Sequence, residues 1–517
     1  MGASLWKLLL LFAFLFGKGS AHECAQRSFG PDRIVCVCNA TYCDSTPDND
    51  PKIPPNGTYY WYVSTQDGLR LDLRKGKINS CQNSLLSFLT TELDIDTTKT
   101  YQTILGYGAA FTDSAGINVK RLSPATQDQL IRAYYDPVLG SRYLLGRIPI
   151  GGTDFSTRPY TYDDHANDTT LAQFALAPED YSYKIPFLQK ALELNPEVKF
   201  LSAAWTAPAW MKTNDNLKGF GFLKKEYYQL YSDYLLKFLD EYKKNGIDVW
   251  AVSSGNEPIN VIVPFDPLIT MGWTPDTMGE WIAENFGPTL ANSKHNNTVI
   301  LTLDDQRVEL PWFIQALFQN EKAKKYIAGT AVHPYADFLV GPEVLDKTHD
   351  LDPDKFILLT EASIGSEVLI PFLKVIPGSW DRGKQYMQSI IQYMNHWSVG
   401  WVDWCYALDP QGGPTYIKNY LDSPIIVSED TDEFYKNPMY YAIKHFSRFV
   451  DRGSVRVSIS DSPLVKATAF VTPSKEVVTV LYNENPFSTS VSLNDPNIGS
   501  VCLELPGDSM NTIIYAS

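Results

Sequence analysis

Residues 249–258 read VWAVSSGNEP, an apolar, strand-like run that stops on an asparagine, a glutamate and a proline. The ordinary fate of Asn-Glu-Pro is a surface loop, because Asn and Glu are usually exposed and proline readily ends a strand. What changes the reading is that the pattern recurs. Between about residues 103 and 404 eight apolar runs end in polar or aromatic residues, each followed by a helix-like stretch: QTILGYGAAFTD, YLLGRIPIGGTDF, KFLSAAWTAP, VWAVSSGNEP, TVILTLDD, GTAVHPY, FILLTEAS and VGWVDW. The clearest intervening helix is EYYQLYSDYLLKFLDEYKKNG, where Tyr227, Leu230, Tyr231, Tyr234, Leu235, Phe238, Leu239 and Tyr242 recur at three- and four-residue steps and Gly246 ends the pattern. Eight strands alternating with helices predict an α/β fold, a (β/α)8 TIM barrel whose reactive groups gather at the C-terminal strand ends; a doubly wound open sheet is the competing arrangement.

Outside the barrel the texture changes. After about residue 454 short alternating runs, SVRVSIS, VKATAFV, EVVTVLY and STSVSLN, are separated by Pro, Asn, Asp and Ser, the pattern of an antiparallel sandwich. Residues from about 50 to 102 are similarly strand-like and are expected to join that sheet from the other flank. A chain of 517 residues, 44% of them hydrophobic, is large enough for two or three domains.

The opening MGASLWKLLLLFAFLFGKGSAHEC places Lys7 before an apolar run from Leu8 to Phe16 and small residues at Gly19, Ser20 and Ala21, so residues 1–21 read as a secretory signal peptide. No later segment offers the roughly 18 uninterrupted apolar residues that a membrane span requires. Four of the seven cysteines, Cys24, Cys36, Cys38 and Cys43, crowd together just after the leader, where an oxidising compartment pairs them into two disulfides; a zinc knot is the alternative. Cys81, Cys405 and Cys502 are left unassigned. Sequons at Asn39, Asn56, Asn167 and Asn296 are candidates for glycosylation on the same route. The net charge of −15 and the absence of a long Lys/Arg run exclude nucleic acid as the expected partner.

On the predicted barrel, Glu257 ends the fourth strand and Glu361 the seventh, so both carboxylates can face one mouth. Two carboxylates across a pocket can cleave a glycosidic bond, one as acid and base and the other as nucleophile or base. Competing chemistries leave little trace: the chain has no His-Glu-x-x-His, Gly-x-Ser-x-Gly, Walker or Gly-x-Gly-x-x-Gly motif. His333 either lines the site or is a hydrogen-bonded structural histidine. Trp205, Tyr335 and Trp404 also fall at strand ends, where a flat aromatic face stacks on a sugar or simply fills the core. Asp154 in GGTDFSTR and Arg147 in GRIPI end the second strand similarly, Asp154 as a partner for sugar hydroxyls and Arg147 for a carboxylate, or as a structural ion pair.

The fragments CVCNATYC, FSTRPYTY, NEP, GPTLANS, LDDQR, TEAS, GSWDRG, GWVDW, GGP and DSPIIV, in this order, resemble the glucosylceramidases of glycoside hydrolase family 30 over essentially the whole chain beyond the leader. The resemblance implies a retaining β-glucosidase acting on glucosylceramide without metal or cofactor. It implies a barrel over 103–404 completed by about 438–453, a sandwich from 50–102 and 454–517, and a small disulfide-bearing β domain over 22–49 completed by about 405–437. By motif position Glu257 is the acid/base, Glu361 the nucleophile and Asn256 the holder of the sugar 2-hydroxyl. Asp154, Trp205, Trp404 and Asn419 are implied as the glucose-binding set, with Tyr335 beside the nucleophile and Arg147 and His333 in support. The implied partners are glucosylceramide at membrane surfaces, anionic phospholipid, a saposin-type activator and a lysosomal transport receptor. The chain departs from the family at Ser363, where the family has Cys, at Pro334, where it has Trp, and over the segment from Ile259 to Trp273.

Overall fold

Each apolar run forms a strand because its side chains are covered on both faces, by the barrel interior on one side and by helices on the other. We label the barrel strands β1 (Gly106–Ala110), β2 (Leu145–Ile150), β3 (Lys199–Ala204), β4 (Val249–Ser253), β5 (Val299–Gln306), β6 (Ile327–His333), β7 (Phe356–Leu359) and β8 (Ser398–Cys405). All neighbours are parallel and β8 closes on β1, with Gly400 opposite Gly106. A side chain at Gly400 would meet the Gly106 carbonyl at 2.2 Å, so the closure requires glycine there. Leu145, Leu201, Ala251, Leu301, Ala331, Leu358, Val399 and Val402 pack together in one apolar cluster. The computed structural model describes residues 22–46, 53–79, 90–263, 267–365 and 374–517; the expected leader and Cys81 lie outside them.

The helix Tyr228–Lys244 buries Tyr231, Tyr234, Leu235, Phe238, Leu239 and Tyr242 and gives way at Gly246, whose φ of 77° few other residues adopt. The first run divides where the sequence showed one element. Gln102 and Thr103 end a long strand, Thr91–Thr103, and after a break at Ile104 and Leu105 β1 begins at Gly106, which has φ of 141°.

Thr91–Thr103 belongs to a nine-stranded assembly that also takes Thr58–Thr65 and Asp72–Lys77 from the first flank and six strands between Val455 and Ala516 from the second. This is the expected sandwich built from both flanks. Its faces share a separate core including Trp61, Leu93, Val457, Val477, Leu503 and Ile513. A third, four-stranded sheet joins Gln26–Ser28 and Ile34–Asn39 to Glu433–Lys436 and Ile425–Ser428. Disulfides Cys24–Cys36 and Cys38–Cys43 tie its N-terminal part, so the zinc alternative falls. Cys502 is also disulfide-bonded and Cys405 is a buried free thiol. Asn56, Asn167 and Asn296 are exposed, while Asn39 is half-buried and its Oδ1 accepts from the Thr41 amide at 2.9 Å. Among the described residues no helix is long and apolar enough to cross a membrane.

Candidate active site

The opening motif turns abruptly where β4 ends. Glu257 has a left-handed backbone, φ 43° and ψ 59°, before the short helical turn Pro258–Ile262. Its amide donates to the Asp304 carbonyl at 2.9 Å, which ties the bend to the neighbouring strand. The strained bend points a nearly buried carboxylate into the barrel mouth instead of outward to solvent. Oε1 of Glu257 accepts from Gln306 Nε2 at 2.7 Å and lies 2.9 Å from His333 Nδ1; Oε2 accepts from Asn260 Nδ2 at 2.6 Å.

Glu361 emerges two residues beyond β7 and is also buried. Its Oε2 accepts a close hydrogen bond from Arg147, and its Oε1 accepts from the Tyr335 hydroxyl at 2.8 Å. Ser363 donates to that hydroxyl at 3.3 Å. Arg147, on β2, is fully buried and reaches further, donating to Asn256 Oδ1 at 2.6 Å and Asp304 Oδ2 at 3.0 Å. Its guanidinium lies 5.0 Å from the Trp205 ring and 5.5 Å from the Trp404 ring. Those indoles stack with centroids 5.0 Å apart, so they serve both as core and as one wall of the site.

Asp304 is the hub that sequence reasoning left out of the site. A bulge in β5, where Leu303 has φ of 71° and Asp304 φ of 54°, turns its carboxylate inward. Besides Arg147 it accepts from Thr360 at 2.5 Å and faces His333 Nε2 at 3.0 Å. Burial alone would raise its pKa, but Arg147 and the hydrogen bonds from His333 and Thr360 hold it far below the ordinary range. Burial alone would likewise push His333 toward neutrality, yet Glu361, Asp304 and Glu257 raise it to about 10. The imidazolium therefore donates from both nitrogens. Burial and Glu257 raise Glu361 above its ordinary range against the pull of His333 and Arg147.

Asp154, Trp205, Asn256 and Trp404 line the same cleft of about 940 Å³ with Asn419, whose Nδ2 donates to Asp154 Oδ2 at 3.1 Å. Burial and the nearby Glu361 and Glu257 raise Asp154 to about 8, so in acid it is a hydrogen-bonding carboxylic acid. The structure thus brings together all ten residues singled out for the site, and adds Asp304, Gln306, Asn260 and the buried Asp305 and Glu309. Asp304 and Asp305 had a signal, since TVILTLDD is a strand-end run like the others, and Gln306 follows it directly. Asn260 had none, because only the bend at Glu257 carries it back onto the carboxylate.

One atom each from Glu257, His333 and Glu361 lie within 4.8 Å of one another, close enough to ask whether they hold a metal. A doubly donating imidazolium has no lone pair to offer, and the only other such group, Cys38, Cys43 and Asp44, loses its thiolates to a disulfide. Both statements concern the described residues.

Residues 104–450 match the family model described as the glycosyl hydrolase family 30 TIM-barrel domain, and residues 453–513 match the family 30 beta sandwich domain. The chain is 38% identical over 524 residues to the lysosomal acid glucosylceramidase of Mus musculus, covering 100% of this chain and 99% of the mouse protein. The crystal structure of SrfJ from Salmonella typhimurium superposes with a TM-score of 0.82 at 26% identity, covering 89% of this chain and 100% of SrfJ.

Proposed function

The chain belongs to glycosyl hydrolase family 30, and from that premise we propose that this glycoside hydrolase is a retaining β-glucosidase that cleaves glucosylceramide to glucose and ceramide. The observation that carries the mechanism is the spacing of the two carboxylates. One oxygen of Glu257 lies within 4.8 Å of one of Glu361, near the roughly 5–5.5 Å typical of retaining enzymes and short of the gap that an inverting enzyme leaves for water. Glu361 attacks the anomeric carbon as the bond to the leaving oxygen breaks, and that oxygen takes its proton from Glu257. Ionised Glu257 then takes a proton from water, whose oxygen bonds the same carbon while the ester to Glu361 opens. Two inversions give net retention. Arg147 and Tyr335 aim the nucleophile, and His333 and Gln306 hold the acid/base.

The substrate assignment draws on the 38% identity with the mouse enzyme and on the cleft. Asp154, Asn256 and Asn419 are polar groups for sugar hydroxyls, and the indoles form an apolar wall. Around the mouth Ile262, Val263, Phe338 and Leu339 are exposed. The strand-end loops that carry them border the cleft: Asn260 and Pro267 line it on either side of Ile262 and Val263, and Tyr335 lines it just before Phe338. An apolar rim on an acidic chain suits contact with a bilayer that presents the lipid, in an acidic lumen where carboxylates are partly protonated. With the expected leader, this supports a lysosomal, lumenal enzyme peripheral to the membrane. A saposin-type activator and a transport receptor belong to the same proposal.

The test compares glucosylceramide in anionic vesicles with β-xylosides and soluble β-glucan oligosaccharides at matched concentration and mildly acidic pH. Preference for the lipid, increased by anionic phospholipid, is expected. Faster cleavage of a xyloside or glucan, with no response to anionic lipid, would overturn the substrate assignment.

A further inference from the structure

On the reading of Glu257 as acid and base, we infer that Asn260 is a positioning residue that biases the proton on that carboxyl. The two oxygens of Glu257 are not equivalent. Gln306 and His333 both engage Oε1, whereas Oε2 meets Asn260 Nδ2 at 2.6 Å, its one hydrogen-bond partner among the described residues. Oε2 is therefore the oxygen that carries the proton to be transferred.

An amide offers both a donor and an acceptor. When Glu257 is ionised, the Asn260 N–H donates to Oε2. When Oε2 is protonated, its O–H competes for the same space, and the amide turns to accept that proton's hydrogen bond with Oδ1, which is unpartnered among the described residues. Asn260 is half-buried and lines the cleft, so the turn has room. Its backbone is held in place: Ile259 N donates to Asp305 Oδ2 at 2.9 Å and Val263 N donates to the Asn260 carbonyl at 3.0 Å. A donor on the ionised form favours that form, so Asn260 prepares Glu257 for activating water and makes it a more willing proton donor.

The charged groups around Glu257 are His333 on β6, Asp304 and Asp305 on β5, Glu361 beyond β7 and Arg147 on β2, with Asp154 and Glu309 further out. His333, raised to about 10, keeps its charge throughout an acidic to neutral titration. Asp305, raised to about 7, changes charge within the pH 4 to 8 range, and Asp154, raised to about 8, at its upper end. They are present equally in the parent and in variants at residue 260, so a difference between those profiles reports on Asn260.

The experiment measures kcat/KM from pH 4 to 8 for an alkyl β-glucoside, whose poor leaving group needs the acid, in the parent, Asn260→Ala, Asn260→Asp, Glu257→Gln and Glu257→Gln/Asn260→Ala. In Asn260→Ala the alkaline limb is expected to move up by about one pH unit, the equivalent of one charge-assisted hydrogen bond. In Asn260→Asp it moves further, because a carboxylate then faces Oε2, and this variant keeps the question answerable if alanine disturbs the fold. Both Glu257→Gln backgrounds lose the limb. Unmoved limbs in both residue-260 variants, whatever happens to kcat, would overturn the inference and leave the acid/base reading intact. A limb that survives in Glu257→Gln would bring down the acid/base reading, and the inference with it.

Discussion

Nδ1 of His333 lies 2.9 Å from Oε1 of Glu257, and the opposite nitrogen lies 3.0 Å from Asp304. A buried imidazolium thereby joins the two ends of neighbouring strands and keeps Glu257 opposite Glu361. Its raised pKa, about 10, contributes stability that is complete below the unfolded value near 6.5 and is lost as pH rises toward 10. Replacing His333 with Asn keeps a donor but removes the charge from beside two carboxylates. Breaking a buried ion pair costs about 3–5 kcal/mol, so calorimetry at pH 5 should show a melting point lower by several degrees. kcat/KM should fall about 10²-fold as Glu257 loses its alignment. Parent-like values of both would show that the imidazolium is not what aligns the acid.

Glu361 should form the covalent glycosyl-enzyme. A fluorinated glucoside that reacts by the same route should label the peptide containing Glu361, as read by mass spectrometry after digestion. An adduct on Glu257, with Glu361 unmodified, would reverse the two roles.

Tyr335 and Ser363 are expected to tune Glu361, the proposed nucleophile. Burial already raises Glu361, and the Tyr335 hydroxyl at 2.8 Å is one of the donors that favour its ionised form. Tyr335→Phe should therefore move the acid limb of kcat/KM to higher pH and lower the plateau about tenfold. Ser363→Ala, which removes only a donor to that hydroxyl, should move the limb less in the same direction. An acid limb that stays in place in Tyr335→Phe would mean that His333 and Arg147 set the ionisation of Glu361 without the hydroxyl.

Behind the site, Glu309 is pushed up to about 9 by burial, with Asp305 and Glu257 adding to the effect, and its Oε2 has no hydrogen-bond partner among the described residues. A carboxyl whose folded pKa is raised contributes stability in acid that is lost as pH climbs toward the folded value. The parent should thus melt lower at pH 8 than at pH 5. Glu309→Gln removes this titration, so its melting point relative to the parent should rise between those two pH values by about 2 °C or more. A constant difference across the range would show that Glu309 does not titrate there.

Much of this was legible in the linear chain because barrel strands have a local signature. Covering both faces makes VWAVS or FILL continuously apolar, and a strand that ends in the barrel mouth must carry its polar residues at one end. The positions of Glu257, Glu361, Asp154 and the two tryptophans follow from that rule together with the family motifs. The crowded cysteines were legible for a similar reason, although their connectivity was not, since four cysteines admit three pairings.

What the sequence determined by itself was the succession of elements and the chemical type of the groups at their ends. It did not determine how those groups meet, because their hydrogen bonds join positions far apart in the chain: Arg147 reaches 214 residues to Glu361, and His333 reaches 76 to Glu257. Tertiary structure alone decided that Asp304 is the hub, since a bulge reverses the direction its place in a strand would give it. It also decided that His333 is charged, because burial favours the neutral imidazole and only three converging carboxylates overcome that preference. Asn260 entered the site for the same kind of reason, through a left-handed bend at Glu257 that no local propensity favours and that its tie to Asp304 holds in place.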